Sequence, residues 1–224
     1  MRLVLALIVI GGVVAFLGWQ EYAVASGCSA EPVTTELAKL EQGGTPENNH
    51  IQIGAHQRFY DATVYQYHQT RGQDGPPKDS TSVDHAYIPI ISNEHPFFGE
   101  MGELLSKYGS VEDVPEDTEW PSIDNFAVLM KTKEFKTIGS IPDGLLAGAP
   151  FSGLVVNRIG KLDKEEAKLV RGNFPKVDLE KILIVEAGRK PKSAMLTMGM
   201  MGGGGVLILV GLALLGGAFK KKSA

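Results

Sequence analysis

Cysteine is nearly absent from this chain: Cys28 is the single example. An internal disulfide framework is thereby excluded, as is a zinc site built on cysteines. Positive charge is not in excess either. Lys and Arg number 22 against 26 Asp and Glu, a formal net charge of −4, so the basic footprint of a nucleic-acid binder is missing. No Gly-x-Ser-x-Gly elbow, no phosphate-cradling glycine loop and no His-Glu-x-x-His pair occurs. There is no internal repeat and no long low-complexity tract.

Charge is missing altogether from residues 195–219, MLTMGMMGGGGVLILVGLALLGGAF. A helix needs about 20 apolar residues to cross a hydrocarbon core of about 30 Å. Nine large apolar side chains between Val206 and Phe219 each favour insertion by about 0.3–0.6 kcal/mol, and no ionisable group subtracts its roughly 3 kcal/mol. Glycines 202–205 would weaken a helix in water by about 1 kcal/mol each, but unpaired backbone in lipid is worse still. They read either as a neck at the membrane surface, with the span beginning near Met201, or as a packing face. The spacings Gly199-x-x-x-Gly203 and Ala213-x-x-x-Gly217 fit the second.

A second uncharged run, residues 3–17, follows Arg2. Extended through Trp19 it makes a transmembrane signal anchor over residues 1–19, with Trp19 and Tyr22 at the interface where aromatic rings prefer to sit. Cleavage after Ala23-Val24-Ala25 and lipidation at Cys28 are the alternatives, though Glu21 interrupts the approach to that cysteine. Arg2 and the amino terminus before the first run, against Glu21 behind it, place the N-terminus inside, and two spans put the C-terminus on the same side. Lys220, Lys221 and Lys222 argue for this, while Arg189, Lys190 and Lys192 flank the other end of the second run equally. Arg2, Trp19, Lys220, Lys221 and Lys222 are the expected membrane anchors. An exported domain without disulfides is ordinary in bacteria, so the expected address is a bacterial cytoplasmic membrane with the middle of the chain outside the cytoplasm. The layout is similar to that of cytochrome-oxidase assembly factors of the Surfeit type and of the membrane-flanked domain in mitochondrial membrane ligases. The likeness lies in span placement and carries over no site residue.

Between the runs the pattern predicts one compact α+β domain on a mostly antiparallel sheet, at residues 50–188. Residues 20–49 read as a short helix and linker, residues 189–194 as a basic linker, and residues 220–224 as a basic cytoplasmic tail. Helices are expected over residues 31–43, 97–108 and 163–171. The second has apolar residues at helical spacing, and the third opens on an Asp163-Lys164-Glu165-Glu166 capping box. Strands are expected over 50–57, 59–68, 83–92 (with Pro89 at an edge or bulge), 126–132, 137–141, 151–159 and 181–187. Residues 70–82 read as a polar loop and 143–150 as a glycine-rich turn.

All five histidines lie between positions 50 and 95. Imidazole is the commonest metal ligand, so His50, His56, His68 and His85 are the candidate ligands of a metal or haem. His50 and His56 share parity on one predicted strand, and His68 and His85 flank the polar loop. The plainer expectation is surface histidines at strand ends. Glu112, Asp113, Glu116, Asp117 and Glu119 miss calcium-loop spacing and contain Pro115, so they read as a solvated loop. Tyr60, Tyr65, Tyr67 and Tyr87 read as cross-strand packing, and Asn157 and Arg158 as solvent-facing. No residue qualifies as catalytic and no cofactor is implied. The expected role is therefore non-enzymatic, an interaction or assembly role toward the lipid bilayer and another membrane or envelope protein. A haem- or metal-handling protein and a membrane-anchored hydrolase are the alternatives.

Overall fold

The computed structural model describes residues 2–68, 76–157 and 159–220, the last four by backbone alone. Contacts divide the chain into two units, Met1–Ala30 with Lys190–Ala224, and Glu31–Arg189.

The first unit is a pair of helices, α1 (Arg2–Ala25) and, last in the chain, α5 (Ala194–Lys220). Both are long and apolar enough to cross a membrane. They run antiparallel: Gly18 lies against Met200, Gly11 against Gly204, and Gly211 against Ile8. The seam is made of missing side chains. A Cβ on Gly204 would stand 2.6 Å from both the Ala15 nitrogen and the Gly11 oxygen, and one on Gly211 would stand 2.6 Å from the Ile8 side chain. Gly11 and Gly18, like Gly204 and Gly211, are seven residues apart, the period that keeps a seam facing its partner around two helices. Thr197, one further period back, is fully buried and bonds its hydroxyl to the Ala194 carbonyl at 2.9 Å. Glu21 and Lys192 pair at 3.1 Å at the end away from the termini.

Two expectations change here. Helix α5 continues through glycines 202–205 without a break, so they form no neck. The glycines that pack are Gly204 and Gly211, whereas a Cβ on Gly199 or Gly203 would meet open space. Spacing within one helix locates a possible face, but only the partner helix selects which face is used. Lys221 and Lys222 lie outside the described residues, and Lys220 is described by its backbone.

The second unit is α+β. Its strands are β1 (Val33–Thr35), β2 (His50–Ile53), β3 (His56–Phe59), β4 (Val64–Tyr67), β5 (Val83–Ile91), β6 (Val128–Thr132), β7 (Leu145–Gly148), β8 (Phe151–Val155) and β9 (Leu183–Ala187). The helices are α2 (Leu37–Glu41), α3 (Pro96–Tyr108) and α4 (Lys164–Asn173). All pairings are antiparallel except β1 with β2 and β6 with β9.

The sheet curls until its ends meet. β2 pairs β8 from His50↔Leu154 to Ile53↔Phe151, and β3 pairs β7 in the same register from His56↔Gly148 to Phe59↔Leu145. β2–β3 and β7–β8 thus act as two long strands bent at residues 54–55 and 149–150. β3 also pairs β5, β5 pairs β6, β6 pairs β9, and β9 pairs β8. Counting the bent strands as single ones, the ring has five strands. The fourth returns beside the first, as in a Greek key, and closure leaves only the short strands β1, β4 and β7 paired on one side. Inside lie Ile51, Ile53, Ala86, Ile88, Ile90 and Val128, all with no accessible surface.

Several local expectations fail for one reason, which is that pairing across the sheet outweighs local preference. Val33, Thr34 and Thr35 extend alongside Ile51, Gln52 and Ile53, leaving only Leu37–Glu41 helical. Residues 59–68 are broken by a 3₁₀ turn at Tyr60–Ala62, where Asp61 accepts a bond from the Gly144 amide at 2.6 Å. Leu145–Gly148, expected as turn, is a strand paired to β3. Residues 137–141 form a 3₁₀ turn with a Thr137–Ser140 capping box rather than a strand. Pro89 sits where β5 changes partner from β4 to β3, a place where a missing N–H is tolerated. The capping box of α4 forms as expected, with Asp163 accepting from the amides of Glu165 and Glu166.

Candidate functional site

The histidines are placed differently from the surface positions expected of them. His50, His56, His85 and His95 are all buried, and His68 is exposed. His50 and His56 do not share a strand but open β2 and β3. Among the described residues no group of three His, Cys, Asp or Glu side chains comes together as a metal-ligand set.

His56 is locked between two partners. Its Nδ1 lies 2.8 Å from the Gly54 carbonyl and so carries the proton, leaving Nε2 to accept from Arg58 Nε at 3.2 Å. Arg58 Nη1 reaches the Tyr60 hydroxyl at 3.3 Å and the Glu134 carboxylate at 3.4 Å. Burial pushes the His56 imidazole below its ordinary value; the Gly54 carbonyl opposes that and the Arg58 charge adds to it. The arrangement requires glycine opposite, because a Cβ on Gly148 would overlap His56 Nε2. Phe151 packs edge-on against the same ring at 5.3 Å.

His85 is held by two carboxylates. Nδ1 lies 2.8 Å from Asp84 and Nε2 3.3 Å from Glu166. Glu166 also accepts from the Asp163 amide at 2.8 Å, so one side chain caps α4 and ties it to β5. His68 approaches the other Asp84 oxygen at 3.9 Å, so the pairing of His68 and His85 across the hairpin runs through a shared carboxylate. The bond from His85 holds the Asp84 carboxyl below its ordinary value despite some desolvation, with the charges of His85, Lys133 and His68 acting in the same direction. Tyr87 stacks edge-on against His85 at 5.1 Å and carries Lys131 over its ring at 5.3 Å. Its hydroxyl is pushed well above the ordinary phenol value by burial and then by Glu166, Asp163 and Glu186. With both nitrogens of His56 and of His85 engaged, these rings fasten strands and helix together.

Two polar side chains were unreadable in the sequence. Asn157, expected to face solvent, donates to the Ile182 carbonyl at 2.6 Å and accepts from the Ile184 amide at 2.8 Å. It completes the start of β9 as a strand neighbour would. Glu41 accepts from the Ser92 amide at 2.7 Å and its hydroxyl at 2.6 Å, pinning α2 to the end of β5. Arg158 lies outside the described residues. His95 caps α3 by accepting from the Phe97 amide at 3.2 Å, and its Nε2 has no partner among the described residues.

An open concavity lies away from the histidines. A groove of about 820 Å³ runs between α3 and residues 119–125, past Leu104 and Trp120. A smaller cavity of about 270 Å³ adjoins it, sharing Pro121, Ser122 and Asp124 and lined by Phe59, Phe97 and Phe174. Helix α3 has the apolar stripe predicted for it, yet no residue of it is buried. Its Phe97, Met101, Leu104, Leu105 and Tyr108 are half-buried, and Trp120 is 42% exposed. No protein-family model, curated protein or solved structure matches this chain.

Proposed function

We propose that this chain is a double-pass membrane protein whose α+β unit stands on the side opposite both termini and works by contacting another protein, not by catalysis. The observation that carries this reading is the glycine seam. Two apolar segments about 180 residues apart in sequence bear gaps that match each other in register, and close packing of backbones is what holds helices together where lipid removes the hydrophobic drive. A leader removed after export has no need of such matching, so the seam favours a retained anchor. Leu3, Val9, Phe16, Met195, Val206 and Leu209, each more than half exposed, point away from the seam, which suits hydrocarbon and not water. The antiparallel packing puts both termini at one end, in keeping with N-in and C-in. The contact role is supported by the apolar face of α3, none of it fully buried, beside the exposed Trp120.

The test uses the single cysteine. Cys28 bonds to the Val24 carbonyl at 3.0 Å, and burial raises its thiol above the ordinary value, so labelling is done at mildly alkaline pH. A membrane-impermeant maleimide should label Cys28 in intact cells or right-side-out vesicles. The chain should also stay in the pellet after alkaline carbonate washing. Release by carbonate, or labelling only after lysis, would refute the topology.

A further inference from the structure

The charge of this chain is unevenly spread. Residues 94–125, which make up α3 and the return to β6, carry nine carboxylates and one lysine in a chain whose net charge is −4. Four of those carboxylates, Glu100, Glu103, Glu119 and Asp124, line the groove. None of the four forms an ion pair among the described residues. Lys107 and Lys176 also line it, but Lys107 is turned to the Tyr108 ring, 4.7 Å from its centre. Leu104 and Trp120 give the groove an apolar lining, and the adjoining cavity is walled by Phe59, Phe97 and Phe174. Carboxylates, an apolar lining and a side pocket are the complement of a cationic strand or helix with one large apolar side chain.

We propose that this groove docks a lysine- or arginine-rich segment of another protein, which seats an apolar side chain in the cavity beside Phe97. The proposal rests on the contact role above and adds its place and the partner's chemistry. The unpaired carboxylates steer and register the segment. The aromatic cavity supplies an anchor, since buried apolar anchors carry most of the binding energy in such interfaces.

The test uses the full chain in nanodiscs of phosphatidylcholine, which presents no net surface charge to a cationic peptide. Trp19 is replaced (W19F), leaving Trp120 as the sole indole. The probe is a synthetic amphipathic Leu/Lys peptide of about four helical turns, with its Leu/Glu counterpart as control. The Lys peptide should shift Trp120 emission saturably, the Glu peptide should not, and affinity should fall as salt rises. The E100Q/E103Q/E119Q variant, whose changes are all on exposed side chains, should bind the Lys peptide on the order of tenfold more weakly. No saturable shift, equal response to the Glu peptide, or unchanged affinity in the triple variant would overturn the proposal. Photocrosslinking in cells from positions around the unit separates its failure from that of the contact role. Adducts from other faces but none from position 120 would dismiss the groove alone, and none from any position would dismiss both.

Discussion

Gly203 and Gly204 are neighbours in one helix with opposite surroundings, and exchanging each for isoleucine tests the seam. A Cβ at Gly204 would lie 2.6 Å from the Ala15 nitrogen and the Gly11 oxygen, where ordinary contact begins at 3.4 Å. The helices must therefore part by about 0.8 Å at that level, enough to forfeit a quarter to a half of each contact's well of about 0.1–0.2 kcal/mol. Over a crossing of on the order of 30 atom pairs the loss is about 1–3 kcal/mol, before the rest of the isoleucine is accommodated. A Cβ at Gly203 meets nothing within 4 Å. G203I changes helix propensity and apolarity by the same amount, so the difference between the variants isolates the seam. Unfolding of the purified chain in mixed micelles, titrated with SDS and followed by circular dichroism, should place the G204I midpoint clearly below that of G203I. Equal midpoints, or G203I the lower, would refute the packing and remove the main support for a retained first helix.

Three further outcomes follow from the α+β unit. His56 is held below its ordinary value of 6.5, so the unfolded chain takes up its proton first and acid favours unfolding; this contribution is whole above pH 6.5 and is lost as pH falls toward the lower folded value. The urea midpoint should drop between pH 7.5 and 5.5, with a shallower drop in His56→Gln, and an equal slope in both would exclude His56 as the source. G148A forces a Cβ onto His56 Nε2 and to 2.7 Å from Arg58 Nε and should cost about 1–3 kcal/mol, whereas G172A, in α4 with open space around it, should stabilise by about 0.5 kcal/mol. Thermal melts of both variants check this pair. N157L strands the Ile182 carbonyl and the Ile184 amide and should cost about 2–4 kcal/mol, with N157D intermediate because it keeps the acceptor.

Some of this molecule can be read in one dimension. Uncharged runs at both ends, the stripe of α3, the capping box of α4 and the apolar core of β5, β6 and β9 depend on neighbours within a few residues, and periodicity and composition report such neighbours directly. The class, α+β on a mostly antiparallel sheet, follows from their order. What composition could not report was pairing between distant segments. Leu145–Gly148 looked like a turn because Gly144, Gly148 and Pro150 punctuate it, yet Gly148 is required where His56 and Arg58 lie across from it in the sheet. The buried histidines looked like surface groups because what covers them comes from far along the chain: Gly148 and Phe151 against His56, and Glu166, brought by α4, against His85. Likewise four consecutive glycines are equivalent in the sequence, and only the antiparallel partner, meeting Gly204 and turning away from Gly203, decides which of them holds the two helices together.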